Sequence, residues 1–238
     1  MRNPAIEVSE YKCKAKKILR LHAGEAFSPL IYYTDFSKFD LIIFVAEHIK
    51  DFVESKRGKL DNAVIIPVGV GVNGYIPNQK KSNKIAYAGD LSRKKGVGEL
   101  LLIAKSLPEY EFHIAGKFSE EDIADYFNKA KPYNIKMYPF RYDLKDWLKE
   151  FPYYLNTSMR EGNPITVLEA MSVGCQPLVK DWVGAKEIYG DNVYSNIDDL
   201  KRLLNKPYNP QEHKNFVDKH YNFNDTLQLI KEAIQWKS

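Results

Sequence analysis

The chain has 238 residues, enough for one large domain or two small ones with a sizeable core. Apolar residues make up 44% and charged residues 28%, the balance of an ordinary globular chain and not of a disordered one. Net charge is only +4, no run of eighteen apolar residues occurs and no nucleic-acid motif is present, so the composition excludes a membrane-spanning helix and gives no case for a nucleic-acid partner.

In chain order, the first seventeen residues, MRNPAIEVSEYKCKAKK, lack the apolar stretch of a secretory signal. Cys13 and Cys175 are the only cysteines, too few and too far apart for a disulfide framework or a zinc knuckle, so a reducing cytoplasm is the expected setting. Lys12, Lys14, Lys16, Lys17 and Arg20 form the densest cationic cluster. Such a run reads first as a solvated face; the sharper alternative is peripheral contact with an anionic membrane or a phosphate-bearing acceptor. Residues 18–21, 41–45 and 63–66 read as strands, with helical stretches near Ser28 and over 47–55. A glycine-rich linker, Pro67-Val68-Gly69-Val70-Gly71-Val72-Asn73-Gly74, follows and permits a sharp change of direction.

Beyond it, strand and helix alternate as in a parallel sheet with helical crossovers. Strands are expected over 85–88, 111–115, 135–138, 153–157, 177–179 and 192–194. Helices are expected over 97–107, from a Ser119/Asp122 capping box to about Ala130, after Asp143, over 164–173 with Gly174 as the stop, near 185–188, and finally over 226–236. The pattern predicts an α/β protein: a complete doubly wound, Rossmann-like domain over 74–238 and a partial Rossmann-like segment over 1–73.

Three features carry chemistry. The turn Gly89-Asp90-Leu91-Ser92-Arg93-Lys94-Lys95-Gly96 places three consecutive cations between a strand and a helix, where a diphosphate can be held; alone it reads equally as an exposed basic loop. It matches neither a Walker loop nor GxGxxG. Glu161-Gly162-Asn163-Pro164 opens the next feature, with Asn163 as N-cap and Pro164 at the first helical position, so that free N–H groups face a bound anion. Glu169 is the only charge in the apolar helix that follows. It either belongs to a narrow solvent stripe with Thr166 and Ser172 or accepts hydrogen bonds from a vicinal diol such as a ribose.

Those residues resemble a known family. SMREGNPITVLEAMSVGCQPLV is similar to the E-x7-E region of retaining GT-B glycosyltransferases, especially family 4, with seven residues between Glu161 and Glu169. AGDLSRKKGVGELL resembles that family's GR-x4-KG phosphate loop, IPVGVGVNGYIP its interdomain segment, and WVGAKEIYGDN the GG-x-x-E-x-x-x-D stretch. The resemblance implies a GT-B fold, a donor-binding C-terminal domain with a terminal crossover helix, and transfer of a hexose-type sugar from a UDP- or GDP-type donor with retention of configuration. By position, Lys95 binds the diphosphate, Glu161 lies at the sugar and the reacting face, Glu169 holds the ribose, and the backbone of Gly162, Asn163, Ile165 and Thr166 contacts sugar or phosphate. Arg20-Leu21-His22 is similar to the family's His-bearing segment, which makes His22 a second catalytic candidate; a surface or structural histidine is the alternative. No cofactor and no metal are implied, and no Asp-x-Asp occurs in the chain.

Two departures stand out. Asp90 replaces the family's arginine, and an acid there is expected to point away from a diphosphate or to pair with Arg93 or Lys94, with Arg93 as the substitute cation. The acceptor-side half is also shorter than the family's, so strand 18–21 is expected to leave a sheet edge that a second copy or a partner chain completes. The acceptor, glycan, lipid or protein, is not indicated. A non-catalytic nucleotide-sugar-binding subunit is the second reading and a nucleotide-sugar epimerase the third. A glycoside hydrolase is disfavoured, because the two glutamates serve different parts of one ligand and do not flank a glycosidic bond.

Overall fold

The computed structural model of the protein describes residues 4–72 and 82–236. Asn73, Gly74 and the rest of the linker's expected continuation to Pro77 lie outside the described residues. By their internal contacts the residues form two compact units, Met1–Gly69 with Phe223–Ser238, and Val70–Asn222.

In the first unit, helix α1 (Pro4–Glu10) precedes strand β1 (Ile18–Leu21), then α2 (Ala23–Ala26), α3 (Leu30–Tyr33), β2 (Leu41–Phe44), α4 (Glu47–Arg57) and β3 (Ala63–Ile65). The strands form a parallel sheet in the order β1-β2-β3. β2 is central and its four residues are buried, as expected of a strand covered on both faces. On one face Leu41, Ile43 and Ile66 pack with Ile230, Ala233 and Ile234 of the C-terminal helix Phe223–Trp236; α4 packs on β2 as well. α4 ends where Gly58 takes a left-handed φ of 81°, which a glycine adopts without strain. The cationic cluster is partly tied down: Lys16 Nζ donates to the Ile234 carbonyl at 2.9 Å, Lys17 Nζ to that of Ser9 at 3.1 Å, and Arg20 Nη2 to that of Pro67 at 3.3 Å. Lys12 and Lys14 are exposed.

The second unit runs β4 (Lys84–Ala88), α5 (Val97–Ser106), β5 (Glu111–Ala115), α6 (Glu121–Ala130), β6 (Ile135–Tyr138), α7 (Leu144–Leu148), β7 (Tyr153–Asn156), α8 (Ile165–Ser172), β8 (Gln176–Lys180), α9 (Ala185–Tyr189), β9 (Val193–Tyr194), α10 (Ile197–Asn205) and α11 (Pro210–His220). Its six parallel strands lie in the order β6-β5-β4-β7-β8-β9, so the winding direction reverses between β4 and β7. That is the doubly wound arrangement, and its reversal point opens a crevice beyond the carboxyl ends of the strands. One sheet face buries Ile85, Tyr87, Phe112 and Leu155 against Leu100, Ile103, Phe127, Leu200 and Leu203 of α5, α6 and α10. Each such aliphatic or aromatic side chain contributes roughly 1.5–3 kcal/mol by leaving water. α8, with Val167, Leu168, Ala170 and Met171 buried, packs against α11.

Local capping differs from the sequence reading in three places. Pro164, not Asn163, is the N-cap of α8, with φ −68° and ψ 111°. Proline is compatible with that extended conformation, and it shifts the helix start to Ile165. Glu120, not Ser119, is the N-cap of α6, and Asp122 pairs with Arg93 instead of closing a capping box. Asp143 does occupy the N-cap of α7, but its carboxylate makes no cap bond and accepts from Arg141 at 2.6 Å. Gly174 closes α8 as expected, with φ 95° and its N–H donating to the Met171 carbonyl at 2.9 Å.

Candidate functional site

The loop from Gly89 to Gly96 leaves the carboxyl end of β4 and is fixed by main-chain contacts. Leu91 is fully buried, and its N–H donates to the Lys117 carbonyl at 2.8 Å. The Met159 N–H donates to the Lys94 carbonyl at 3.1 Å, and Thr157 Oγ1 donates to the Lys95 carbonyl at 2.8 Å. This stitching brings the basic loop against the end of β7. Gly96 enables the approach: its φ is 72°, and a Cβ built there would lie 2.0 Å from the Thr157 carbonyl oxygen.

The loop's cations then separate. Lys95 Nζ meets Glu161 Oε1 at 2.5 Å, with the Glu161 side chain 10% exposed and that of Lys95 33%. Arg93 turns the other way and pairs with Glu120 and Asp122 at the start of α6. Asp90 is exposed, and the pair with Arg93 that the sequence suggested is not formed.

Residues 156–158, together with Glu161 and Asn163, form a stretch of buried polar side chains at the end of β7. A parallel-sheet strand would ordinarily continue apolar here, so the polar run sets this end of β7 apart from the apolar core. Gly162 and Pro164 are buried too, whereas Ile165 is 45% exposed. Thr166 is half-buried and hydrogen-bonds Tyr154, whose hydroxyl donates to the Ala88 carbonyl at 2.9 Å. α8 is thereby tied to the end of β4.

One turn further on, Glu169 is half-buried and lines two adjoining cavities. The first, about 380 Å3, is bounded by Gly89, Ala115, Phe140, Arg141 and Thr166. The second, about 330 Å3, is bounded by Gly71, Tyr142, Lys145, Lys149 and Ser172. Ser172 is itself buried, so Thr166, Glu169 and Ser172 do not make a solvent stripe. Burial pushes the Glu169 carboxyl above its ordinary pKa, and the Lys145 cation opposes that shift. Lys145 donates to the Gly71 carbonyl at 2.7 Å.

His22 belongs to the first unit. It follows β1, is exposed, and its backbone N–H donates to Glu25 Oε2 at 3.2 Å. Partial burial of the ring and then the Arg20 cation lower its pKa, and Glu25 opposes them. The structure thus pairs Lys95 with Glu161, buries Gly162 and Asn163 in the turn that follows, sets Thr166 and Glu169 on one cavity of the second unit, and directs Arg93 to α6.

Sequence reasoning missed the loop after β6, where Phe140, Arg141 and Tyr142 wall the Glu169 cavity. The available signal was topological: a loop leaving the carboxyl end of a strand near the reversal point, rich in aromatic and basic residues. It also missed Lys145, whose spacing within α7 looks like any surface lysine.

Residues 76–235 match the family described as Glycosyl transferases group 1, well over half of the chain. The chain belongs to the glycosyl transferases group 1 family. The matched span contains the basic loop, both glutamates and the stretch from Trp182 to Asn192, and it excludes His22. A Haemophilus influenzae protein described as an uncharacterized glycosyltransferase is 26% identical over 219 residues, covering 83% of this chain and 60% of its own length. Staphylococcus aureus TarM, in a structure with fondaparinux, α-GlcNAc-glycerol and UDP, aligns with a TM-score of 0.74 at 19% identity over 92% of this chain and 51% of TarM. Anabaena HepE, in a structure with UDP and glucose, aligns with a TM-score of 0.75 at 16% identity over 93% of this chain and 72% of HepE. The family and these structural neighbours establish the GT-B fold. The chain spans 60% of the curated relative's length and about half of TarM's. Among the described residues no helix is long and apolar enough to cross a membrane.

Proposed function

We propose that the protein transfers a sugar from a nucleoside diphosphate sugar of UDP or GDP type to an acceptor, with retention of anomeric configuration and without a metal. The observation that carries this reading is the 2.5 Å contact between Lys95 and Glu161, which joins the phosphate-type loop to the start of the E-x7-E helix at the sheet's reversal point. Lys95 and the N-terminal amides of α8 stand where a leaving diphosphate gains charge. Glu161 faces the donor sugar, and Glu169 takes the ribose diol in the adjoining cavity. In the reaction an acceptor oxygen bonds to the anomeric carbon on the side from which the phosphate leaves. The bond from that carbon to phosphate oxygen breaks, and the acceptor's proton passes to the departing diphosphate. Fixed cations and amides stabilise that charge, so the step requires neither a protein base nor a metal. UDP in the TarM and HepE structures supports a nucleotide-sugar donor.

His22 is carried over from the resemblance as the catalytic candidate of the first unit. The acceptor is a glycan, lipid or protein, and the setting is the cytoplasm, with Lys12 and Lys14 available for peripheral membrane contact. Asp90, in place of the family's arginine, favours one second reading: a nucleotide-sugar-binding subunit whose partner carries out transfer.

Calorimetric titration with UDP, GDP and ADP, without and then with magnesium, tests the proposal. Metal-independent binding of UDP or GDP is expected, followed by turnover to a product whose anomeric configuration, read by NMR, matches the donor's. Binding of none of the three nucleotides would remove the donor site. Binding without transfer to any acceptor, or hydrolysis, would leave the subunit reading.

A further inference from the structure

Behind the 161–164 turn lies a polar pair that the proposed chemistry does not use. Tyr189, the last residue of α9, is 3% exposed and donates its hydroxyl to Asn163 Oδ1 at 3.3 Å; Asn163 is 8% exposed. Tyr189 lines neither of the cavities at Glu169. Its own place is firm. Trp182 stands edge-on to its ring at 6.5 Å, and Gly184 and Gly190, with φ of 95° and 54°, set the two ends of α9.

The turn needs such a tether. The N-cap of α8 is Pro164, which has no N–H and makes no side-chain cap bond, so the usual device that fixes a helix start is absent here. An apolar pair would fill the same space without fixing the turn's orientation. A buried hydroxyl–amide bond specifies one orientation, because either group left alone pays for its lost hydration. Glu161 lies two residues away and is near enough for its charge to act on the tyrosine. Burial first, then Tyr221 and Glu161, raise the Tyr189 pKa, so the hydroxyl stays a donor.

We infer that Tyr189 is a positioning residue: through Asn163 it sets the 161–164 turn and hence the direction of Glu161, acting on the sugar end of the donor and not on its nucleotide end. The inference rests on the reading of Glu161 as the sugar-facing carboxylate. It places the α8 start under the control of a residue twenty-six positions away, in a segment not otherwise assigned to the site.

The test compares the wild type with Tyr189→Phe. The control is Tyr153→Phe, which removes another buried hydroxyl, one that donates to the Leu204 carbonyl at 3.3 Å. Amide hydrogen exchange without ligand is read first. Exchange across 161–164, whose exchanging amides are those of Glu161, Gly162 and Asn163, is expected to rise at least tenfold in Tyr189→Phe and to stay unchanged in the control. Calorimetry with UDP and UDP-glucose, and with GDP and GDP-mannose, is read second. The nucleotide sugar is expected to lose about tenfold in affinity while the bare nucleotide loses less than twofold. Asn163→Leu should reproduce both effects, the double variant should add nothing, and Asn163→Asp, which keeps an acceptor oxygen, should restore wild-type exchange. Unchanged exchange across 161–164 in Tyr189→Phe overturns the inference whatever the ligands do. Raised exchange with equal losses for nucleotide and nucleotide sugar overturns the assignment to the sugar end. A wild type that binds no nucleotide refutes the donor-site reading, and exchange alone then decides whether the tether exists.

Discussion

At the scale of single residues, the proposed function assigns the parts of a nucleotide sugar to separate side chains that can be tested one at a time. Glu169 is half-buried, with its carboxyl pKa raised by burial against the pull of Lys145, beside a cavity of about 380 Å3. A carboxylate accepting from a diol makes charge-assisted bonds worth roughly 1.5–3 kcal/mol, so Glu169→Ala should weaken UDP or GDP binding about tenfold to a hundredfold, with or without a sugar. Equal calorimetric affinities for variant and wild type would remove Glu169 from the site. Lys95 is different, because in the proposed function its cation faces the diphosphate and not the nucleoside. Lys95→Ala should weaken the nucleoside diphosphate at least tenfold and the free nucleoside hardly at all; equal losses would mean that the lysine is a structural partner of Glu161. The contact of Lys95 with Glu161 joins two segments that the sequence singled out, because their spacing follows a family pattern. Arg93 was not placed by that pattern. Its side chain is long enough to choose between the crevice and the start of α6, and the local pull of Glu120 and Asp122 is a three-dimensional fact. Tyr189 was equally invisible, since one buried tyrosine in a string of motif residues carries no spacing signal.

At the scale of elements, the loop between β4 and α5 depends on one glycine more than on its lysines. Gly96→Ala forces a side chain into a left-handed φ of 72° and a Cβ to within 2.0 Å of the Thr157 carbonyl, so the loop must move away from β7. The expected result is a lower unfolding midpoint together with loss of nucleotide binding. Gly98→Ala is the control. It sits in the first turn of α5, with nothing within 4 Å of a built Cβ, and should stabilise the protein by about 0.5–1 kcal/mol without touching binding. Retained UDP or GDP affinity in Gly96→Ala would show that the loop does not hold the diphosphate. The elements themselves were readable: the nine strands among the described residues fall within a residue or so of where apolar runs and turn residues put them, because buried parallel strands impose a strong pattern. Capping was less readable. Asn163, Ser119 and Asp143 have the right chemistry to cap, but a neighbouring proline, a glutamate and an arginine compete for those positions, and propensity alone does not rank them. Helix α1 was missed altogether, since seven residues with one proline give too short a period to read.

At the scale of the whole molecule, stability should depend on pH through a group that the proposed chemistry does not use. His213 lies on α11, the helix packed against α8, and is 8% exposed. Burial, assisted by the Lys206 cation, lowers its pKa to about 4. In the unfolded chain the imidazole titrates near its ordinary value of about 6.5. Between those two values the unfolded state therefore binds a proton that the folded state refuses, so stability falls as pH drops through about 6.5 and stops falling, for this group, near 4. The loss is of order 3 kcal/mol across that window, a substantial part of a typical domain's total stability. Urea unfolding at pH 7.5 and at pH 5 should show a markedly lower midpoint at the acid value. His213→Gln, which carries no titrating group, should flatten the slope between the two. The effect should be confined to stability: because α11 supports α8 from behind, UDP or GDP affinity at pH 5 should hold as long as the protein stays folded, apart from what Glu169 itself gains or loses. A wild-type slope that survives in His213→Gln would assign the acid sensitivity to other groups, the buried His113 among them, and leave α11 as inert packing.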